Sequence, residues 1–228
     1  MAGMRVATWN CQHGRPEPPR IGEAAAALDV DVLAMQEVDR GSRRVEQRDL
    51  AAMVQEAFGG HLTWAPAFTF SDGGEYGNAL LVRGEVRDEL VLPLPGRRRG
   101  KGSEPRVASI TAVVVDGRHW TVANTHLSTH RRMAAEQLVA LLDALRSWPA
   151  PRVLLGDLNL EVPHLLPSLT AESYRMAIGP ATHPAQRPRR QIDHVAVSGQ
   201  GCSVVPWEAV QLAVGDHRAL IADVSCPD

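Results

Sequence analysis

The sequence predicts an α/β chain: a four-layer α/β/β/α sandwich of two mixed, mostly antiparallel sheets. Three observations predict it. Short apolar runs bounded by turn residues, which read as buried strands, outnumber helical stretches. Hairpin-like pairs of strands alternate with helical crossovers, the pattern of two packed sheets with helices outside. Six of the runs also meet a metal-type or acid/base-type residue at one end: Asn10, Glu37, His126 and Asp157 at exits, Asp193 and Asp216 at entries. If the last two strands run antiparallel to the other four, all six ends share one rim of the fold.

Taken in order, Arg5–Trp9 is a strand, and Ile21–Leu28, with four consecutive alanines, is a helix because alanine costs least there. Asp31–Gln36 is a strand. Asp49–Phe58 is a helix with Leu50, Met53, Val54 and Ala57 on one face. Leu62–Phe68, Ala79–Arg83, Val86–Leu92, Val107–Val115 and His119–Thr125 are strands, the last two joined by Asp116-Gly117, where glycine accepts positive φ. Met133–Leu145 carries a leucine stripe and ends before Pro149 and Pro151. Val153–Gly156 is a strand and Pro163–Thr170 a weak helix. Asp193–Val197, Ser203–Glu208 and Ala219–Val224 complete the strands. Pro93–Ser103 and Gly179–Arg190, rich in Pro, Gly and Arg, read as mobile loops.

The 228 residues suit one domain, 1–228, with no linker or internal repeat. Apolar residues make up 44% and charged residues 22%, enough for an ordinary core. A net charge of −2 provides no global field for nucleic acid, and aromatic content of 4% counts against a base-stacking platform. Cys11, Cys202 and Cys226 are scattered, odd in number and without a CxxC pair, which argues against a disulfide scaffold and a structural zinc site. No leader is visible and no apolar stretch spans a bilayer, so the expectation is a cytoplasmic monomer with no transmembrane segment.

The strand-end residues match the needs of phosphoester hydrolysis: charge neutralisation at phosphate, a carboxylate to prepare water, and donors for the developing charge. Their hard oxygen donors suit Mg2+ (or Mn2+) better than zinc. Glu37 is a natural metal ligand with Asn10 and Asp216 as oxygen partners. Asp157 takes a proton from water that Asn159 orients, and His126 and His217 hydrogen-bond phosphate oxygens. Asp193 beside His217 fixes its tautomer and favours imidazolium. Singly, each residue reads equally well as a turn former, a solvated acid or a core histidine.

Together, Thr8-Trp9-Asn10, Gln36-Glu37, Tyr76-Gly77-Asn78, Asn124-Thr125-His126-Leu127, Gly156-Asp157-Leu158-Asn159, Ile192-Asp193-His194 and Gly215-Asp216-His217 resemble the ordered motifs of the endonuclease/exonuclease/phosphatase superfamily. The match spans nearly the whole chain. The resemblance implies a DNase I-like sandwich and a divalent-metal phosphoesterase: Glu37 on metal with Asn10 and Asp216 nearby, Asp157 on water, His126, Asn159 and His217 on phosphate, Asp193 behind His217. It also places Arg106 facing the site. Tyr76 and Asn78 read equally as shaping the site wall and as terminating a loop. Val38-Asp39 follows Glu37 where relatives of the abasic-site endonuclease type have Thr-Lys, which weakens a DNA-repair reading. Gly215 replaces the Ser usual before Asp-His, a change expected to cost little.

Two substrate classes stay open. Nucleic acid is favoured by the basic loops Arg97–Lys101 and Arg187–Arg190, with His130-Arg131-Arg132 at the same rim. A small or lipid-headgroup phosphoester is favoured by the short chain and the Gln-Glu-Val-Asp pattern. A catalytically inactive binding module is the third reading, and the filled catalytic positions speak against it.

Overall fold

The computed structural model describes residues 2–96 and 104–227; the Arg97–Lys101 loop and most of Pro93–Ser103 lie outside them. In chain order the elements are β1 (Ala2–Asn10), α1 (Ile21–Ala26), β2 (Val32–Arg40), α2 (Leu50–Phe58), β3 (His61–Thr69), β4 (Glu75–Val82), β5 (Glu85–Pro93), β6 (Val107–Val115) and β7 (Arg118–His126). Then come α3 (Arg131–Leu145), β8 (Arg152–Asp157), α4 (Val162–Ala171), β9 (Tyr174–Met176), β10 (Asp193–Ser198), β11 (Ser203–Val210) and β12 (Ala219–Cys226).

Two six-stranded sheets result, ordered β11-β12-β1-β2-β4-β3 and β5-β6-β7-β8-β10-β9. Period-two alternation on β1 shows why both faces are covered. Met4 and Val6 point into the layer between the sheets, against Val122, Val153 and Val195. Ala7 and Trp9 point the other way, under Ile21 of α1 and Leu50, Val54 and Phe58 of α2. The leucine stripe of α3 and Leu165 and Leu169 of α4 cover the outer face of the second sheet. The expected four layers are present.

The strand-direction requirement is also met. β1 and β2 are parallel and β12 is antiparallel to β1. β7 and β8 are parallel and β10 is antiparallel to β8, so that His126, Asp157 and Asp193 stand side by side in register. Beneath this rim a buried polar bridge links the sheets. Gln36 Nε2 donates to Asn124 Oδ1 at 2.8 Å, and Asn124 Nδ2 donates to the carbonyls of Met35 and Ala79 at 3.1 and 3.0 Å.

Several local expectations change. β4 begins at Glu75 rather than Ala79, so Tyr76-Gly77-Asn78 lies within a strand, because bulged β2 and β3 continue to pair with it. α1 stops at Ala26. The short edge strand β9 has too few residues to show a period. The cysteines change most: Cys202 and Cys226 form a disulfide with Cα atoms 4.0 Å apart. Pairing of Ser203 with Ser225 in β11 and β12 sets the two cysteines opposite one another, a proximity that their spacing of 24 residues conceals. Cys11 is buried and free.

Candidate active site

β2 reaches the rim through a bulge. Its register with β4 jumps between Met35 and Val38, and Glu37 takes φ +57, a left-handed conformation uncommon for a residue with a side chain. Such a bulge re-aims a side chain, and Glu37 turns toward β1. At the end of β8, Gly156 at φ +150 comes so near β7 that a Cβ would lie 2.0 Å from the Thr125 carbonyl oxygen. That approach brings Asp157 beside His126.

Asn10, Glu37, His126, Asp157, Asn159, His217, Arg106 and Tyr76 line one cavity of about 660 Å³. Asn10 Nδ2 donates to Glu37 Oε1 at 3.1 Å and to Asp157 Oδ2 at 3.0 Å, so one amide ties the two sheets' acids together. Asp157 Oδ1 accepts the backbone N–H of Asn159 at 3.0 Å. Asn159 Nδ2 meets His126 Nε2 at 3.1 Å and the Leu127 carbonyl at 3.0 Å. His126 Nε2 is also 3.4 Å from Asp157 Oδ2. His217 crosses from the first sheet to the second, with Nδ1 2.8 Å from Asp193 Oδ2 and Nε2 3.8 Å from Asp157 Oδ2. Thr182 Oγ1 donates to the same Asp193 oxygen at 2.5 Å.

Burial sets the proton affinities. Asp157 is pushed up to about 7, chiefly by burial and then by the charge of Asp193, against the pull of His217 and the Asn10 amide. Burial works against a charge on His217, but Asp193, Asp157 and Asp216 outweigh it and raise its pKa to about 9. His126 is held well below the usual range by burial and the charges of Arg106 and His217, and it is therefore neutral. Glu37 is raised by burial and by Asp216, with Asn10 pulling the other way.

Asp193 sits behind His217 at 0% exposure. Asp216 faces an adjoining hollow; its Oδ2 accepts from Gln12 Nε2 at 2.9 Å and its Oδ1 is 3.9 Å from His217 Nε2. Asn78 is not brought to the cavity as a wall residue. It is buried, and its Nδ2 donates to the Val107 carbonyl at 3.1 Å, tying β4 to β6. Asn10 Oδ1 accepts the N–H of Gln12 at 3.1 Å, which turns the amide nitrogen, not the oxygen, toward Glu37. Among the described residues, two acid–histidine groups have ligand atoms mutually within 4.8 Å: Asp157, Asp193 and His217, and His183, Asp216 and His217.

Sequence reasoning left several of these residues aside. The His183 ring packs at a tilt against His217, with centroids 4.6 Å apart. His13 Nδ1 lies 3.8 Å from Glu37 Oε2, its pKa lowered to about 4 by burial and then Arg44. Arg44 is clamped by Asp39 at 2.6 and 2.7 Å and lies over Phe70 and Tyr76. Phe68 packs against Tyr76 at 4.9 Å and lines the cavity. With only three Phe and two Tyr in the chain, Phe68, Phe70 and Tyr76 stand together at this mouth, so low aromatic content hid a concentrated placement. Gly215 also proves to have a reason: it adopts φ +90, and a Cβ there would lie 3.0 Å from Trp9 Nε1.

The model of the Endonuclease/Exonuclease/phosphatase family matches residues 7–217, which include every one of these strand ends. The chain belongs to this family. Its members hydrolyse phosphoesters, and this chain is accordingly a phosphoester hydrolase in general terms. An endonuclease/exonuclease/phosphatase from Beutenbergia cavernae is 24% identical, with a TM-score of 0.78 over 99% of this chain and 72% of that one. A mannosyl-6-phosphatase from Bacteroides thetaiotaomicron is 14% identical, with a TM-score of 0.73 over 97% and 99%. The human nocturnin catalytic domain is 19% identical, with a TM-score of 0.72 over 98% and 93%. At these identities the likeness shows the fold alone. No curated protein matches the chain. No helix among the described residues is long and apolar enough to cross a membrane.

Proposed function

We propose that this chain is a single monomeric catalytic domain, a divalent-metal-dependent phosphoesterase that cleaves its substrate by in-line attack of an activated water. The observation that carries the reading is Asp157: a carboxyl raised to about 7, set between His126 and His217 at the bottom of the cavity. A proton affinity near neutrality suits a group that takes a proton from water and gives it up again. Asn159 Oδ1 has no protein donor among the described residues and is available to orient that water. The His217 imidazolium, fixed by Asp193, stabilises charge developing on phosphate. Arg106, 8% exposed and paired on one side with Glu104, leaves Nε and Nη1 without partners at the cavity wall, donors suited to a phosphate oxygen.

The acids fit a hard cation. Burial and the Asp216 charge both raise the proton affinity of Glu37, a strain that a hard cation such as Mg2+ or Mn2+ would relieve. Glu37 and Asp216 would hold it, with the Asn10 amide orienting Glu37 rather than ligating. When bound, the ion supplies charge neutralisation at the phosphate oxygens.

For the substrate, the flat apolar wall of Phe68 and Tyr76 favours an ester carrying a planar group, as in nucleic acid. The Gln36-Glu37-Val38-Asp39 pattern favours the alternative of a small phosphoester. Supercoiled plasmid, single-stranded DNA and RNA, assayed with Mg2+ and Mn2+ beside a panel of small phosphomono- and diesters, separate the two. Hydrolysis of small esters alone sinks the nucleic-acid reading, and no metal-dependent hydrolysis of any of them sinks both. A cytoplasmic address would keep Cys202 and Cys226 reduced. Three titratable thiols in protein denatured directly from the cell support that address, and one thiol overturns it.

A further inference from the structure

Beside the catalytic cavity lies a second hollow of about 830 Å³, bordered by Gln12, Arg15, Gln186, Arg187, Arg189 and Asp216. Its lining holds three guanidinium groups against one carboxylate, in a chain of net charge −2. Neighbouring arginines are neutralised: Arg44 by Asp39, Arg106 by Glu104 and Arg190 by Glu161. Arg15, Arg187 and Arg189 have no carboxylate within ion-pair distance among the described residues. Unpaired guanidinium groups around a concave surface raise the local concentration of anions and match phosphate geometry.

The walls are held in place by backbone bonds. The loop of residues 182–190 is closed at its base, where Thr182 and His183 N–H groups donate to the Arg190 carbonyl at 2.9 and 3.1 Å. It is pinned by Ala185 N–H to the Asp216 carbonyl at 2.7 Å and by Arg218 Nε to the Ala185 carbonyl at 2.7 Å. The opposite wall is fixed by Gly215 N–H donating to the Arg15 carbonyl at 2.6 Å. Both walls therefore hang on residues 215 and 216, directly before His217. The loop itself divides the two hollows, with His183 and Arg190 on the catalytic side and Arg187 and Arg189 on the other.

We infer that this arginine-lined hollow binds a second phosphate of the substrate, one other than the phosphate that is cut. The inference rests on the phosphoesterase reading, and it deepens that reading: the substrate carries at least two phosphates, either along a nucleic-acid strand or on one small molecule.

The test uses the full chain with Mg2+ and the triple variant Arg15→Ala/Arg187→Ala/Arg189→Ala, all three positions being exposed and outside the catalytic cluster. Three substrates are compared: bis(p-nitrophenyl) phosphate, with one phosphate, a nucleoside 3′,5′-bisphosphate and a short oligothymidylate. The variant is expected to keep wild-type rates on the first and to raise KM about tenfold or more on a multi-phosphate substrate, with kcat unchanged. For the oligothymidylate, the slope of log KM against log salt falls by about 0.7, the contribution of one neutralised phosphate of a single strand. A response to the bisphosphate alone assigns the second phosphate to a small molecule; a response to the oligothymidylate assigns it to a strand. Unchanged KM and salt slope on both overturn the inference, as does an equal loss on all three substrates. If nothing is hydrolysed, the phosphoesterase reading fails. Fluorescence anisotropy with labelled oligothymidylate and the unlabelled bisphosphate as competitor then decides the hollow alone: equal affinity of both proteins for both ligands overturns it, and about tenfold weaker binding of either by the variant supports it.

Discussion

The rim of the first sheet and the rim of the second contribute unlike halves to one cavity. Asp157, Asp193 and His126, from the second sheet, are 1%, 0% and 4% exposed. Glu37, Gln12 and Asp216, from the first sheet and its loops, are half-buried. The dry half has strongly displaced proton affinities, because lost solvation penalises charge wherever no partner compensates. The wet half keeps carboxylate oxygens within reach of a hydrated ion. We read the contrast as a division of labour, proton handling in the second sheet and cation holding in the first, with His217 spanning the two.

The sharpest way to break this division is Asp157→Asn. It retains shape but cannot take a proton, and turnover should fall by about 10²–10⁴-fold with an unchanged circular dichroism spectrum. Wild-type rates would remove proton handling from the dry half. His217→Ala should cost about 10²–10³-fold by deleting the charge that joins the halves; if turnover survives, the histidine is only a packing element. A third measurement concerns the stability of the dry half. His194, buried beside the catalytic strands with Nε2 2.8 Å from the Leu160 carbonyl, has its pKa lowered by burial from 6.5 to about 4. A depressed histidine contributes stability that is complete above pH 6.5 and is lost as pH falls from 6.5 toward 4. Urea unfolding should therefore show about 3 kcal/mol less stability at pH 4 than at pH 7 from this group. His194→Asn should flatten that part of the profile, and an unaltered slope would show that His194 is not the group responsible. In the wet half, Glu37→Gln should raise the Mg2+ concentration for half-maximal activity about tenfold, and an identical metal titration would refute its ligand role. The smallest effect is expected from Gly215→Ser, about 1 kcal/mol of stability from a side chain at positive φ, measurable as a lower Tm.

The two halves were unequally legible in the sequence. Asp157, His126 and Asp193 stand at ends of short apolar runs, where strand direction alone decides whether they meet. Direction could be stated as a condition, and pairing of β7, β8 and β10 meets it. Arg44, Phe68 and His183 belong to a short turn, a bulged edge strand and a long loop, whose course depends on tertiary contacts rather than on a local period. Gln12 was invisible for a related reason: it and His13 both adopt φ +45, a path that no composition signal marks. Asn78 is the opposite case. Its motif was readable, but only the packing of β4 against β6 reveals that its amide holds the two sheets together.

Asn10 ends the first strand and His217 precedes the last, and those two strands are immediate neighbours, paired from Ala2 with Cys226 to Thr8 with Leu220. A nascent chain on the ribosome holds the N-terminal residues of the cavity long before the histidine that completes it. Closing so long a loop is slow, and a fragment that stops before residue 217 lacks the histidine that spans the two sheets. Until residue 217 is made, Asp157 and Asp193 lack the imidazole that lies between them.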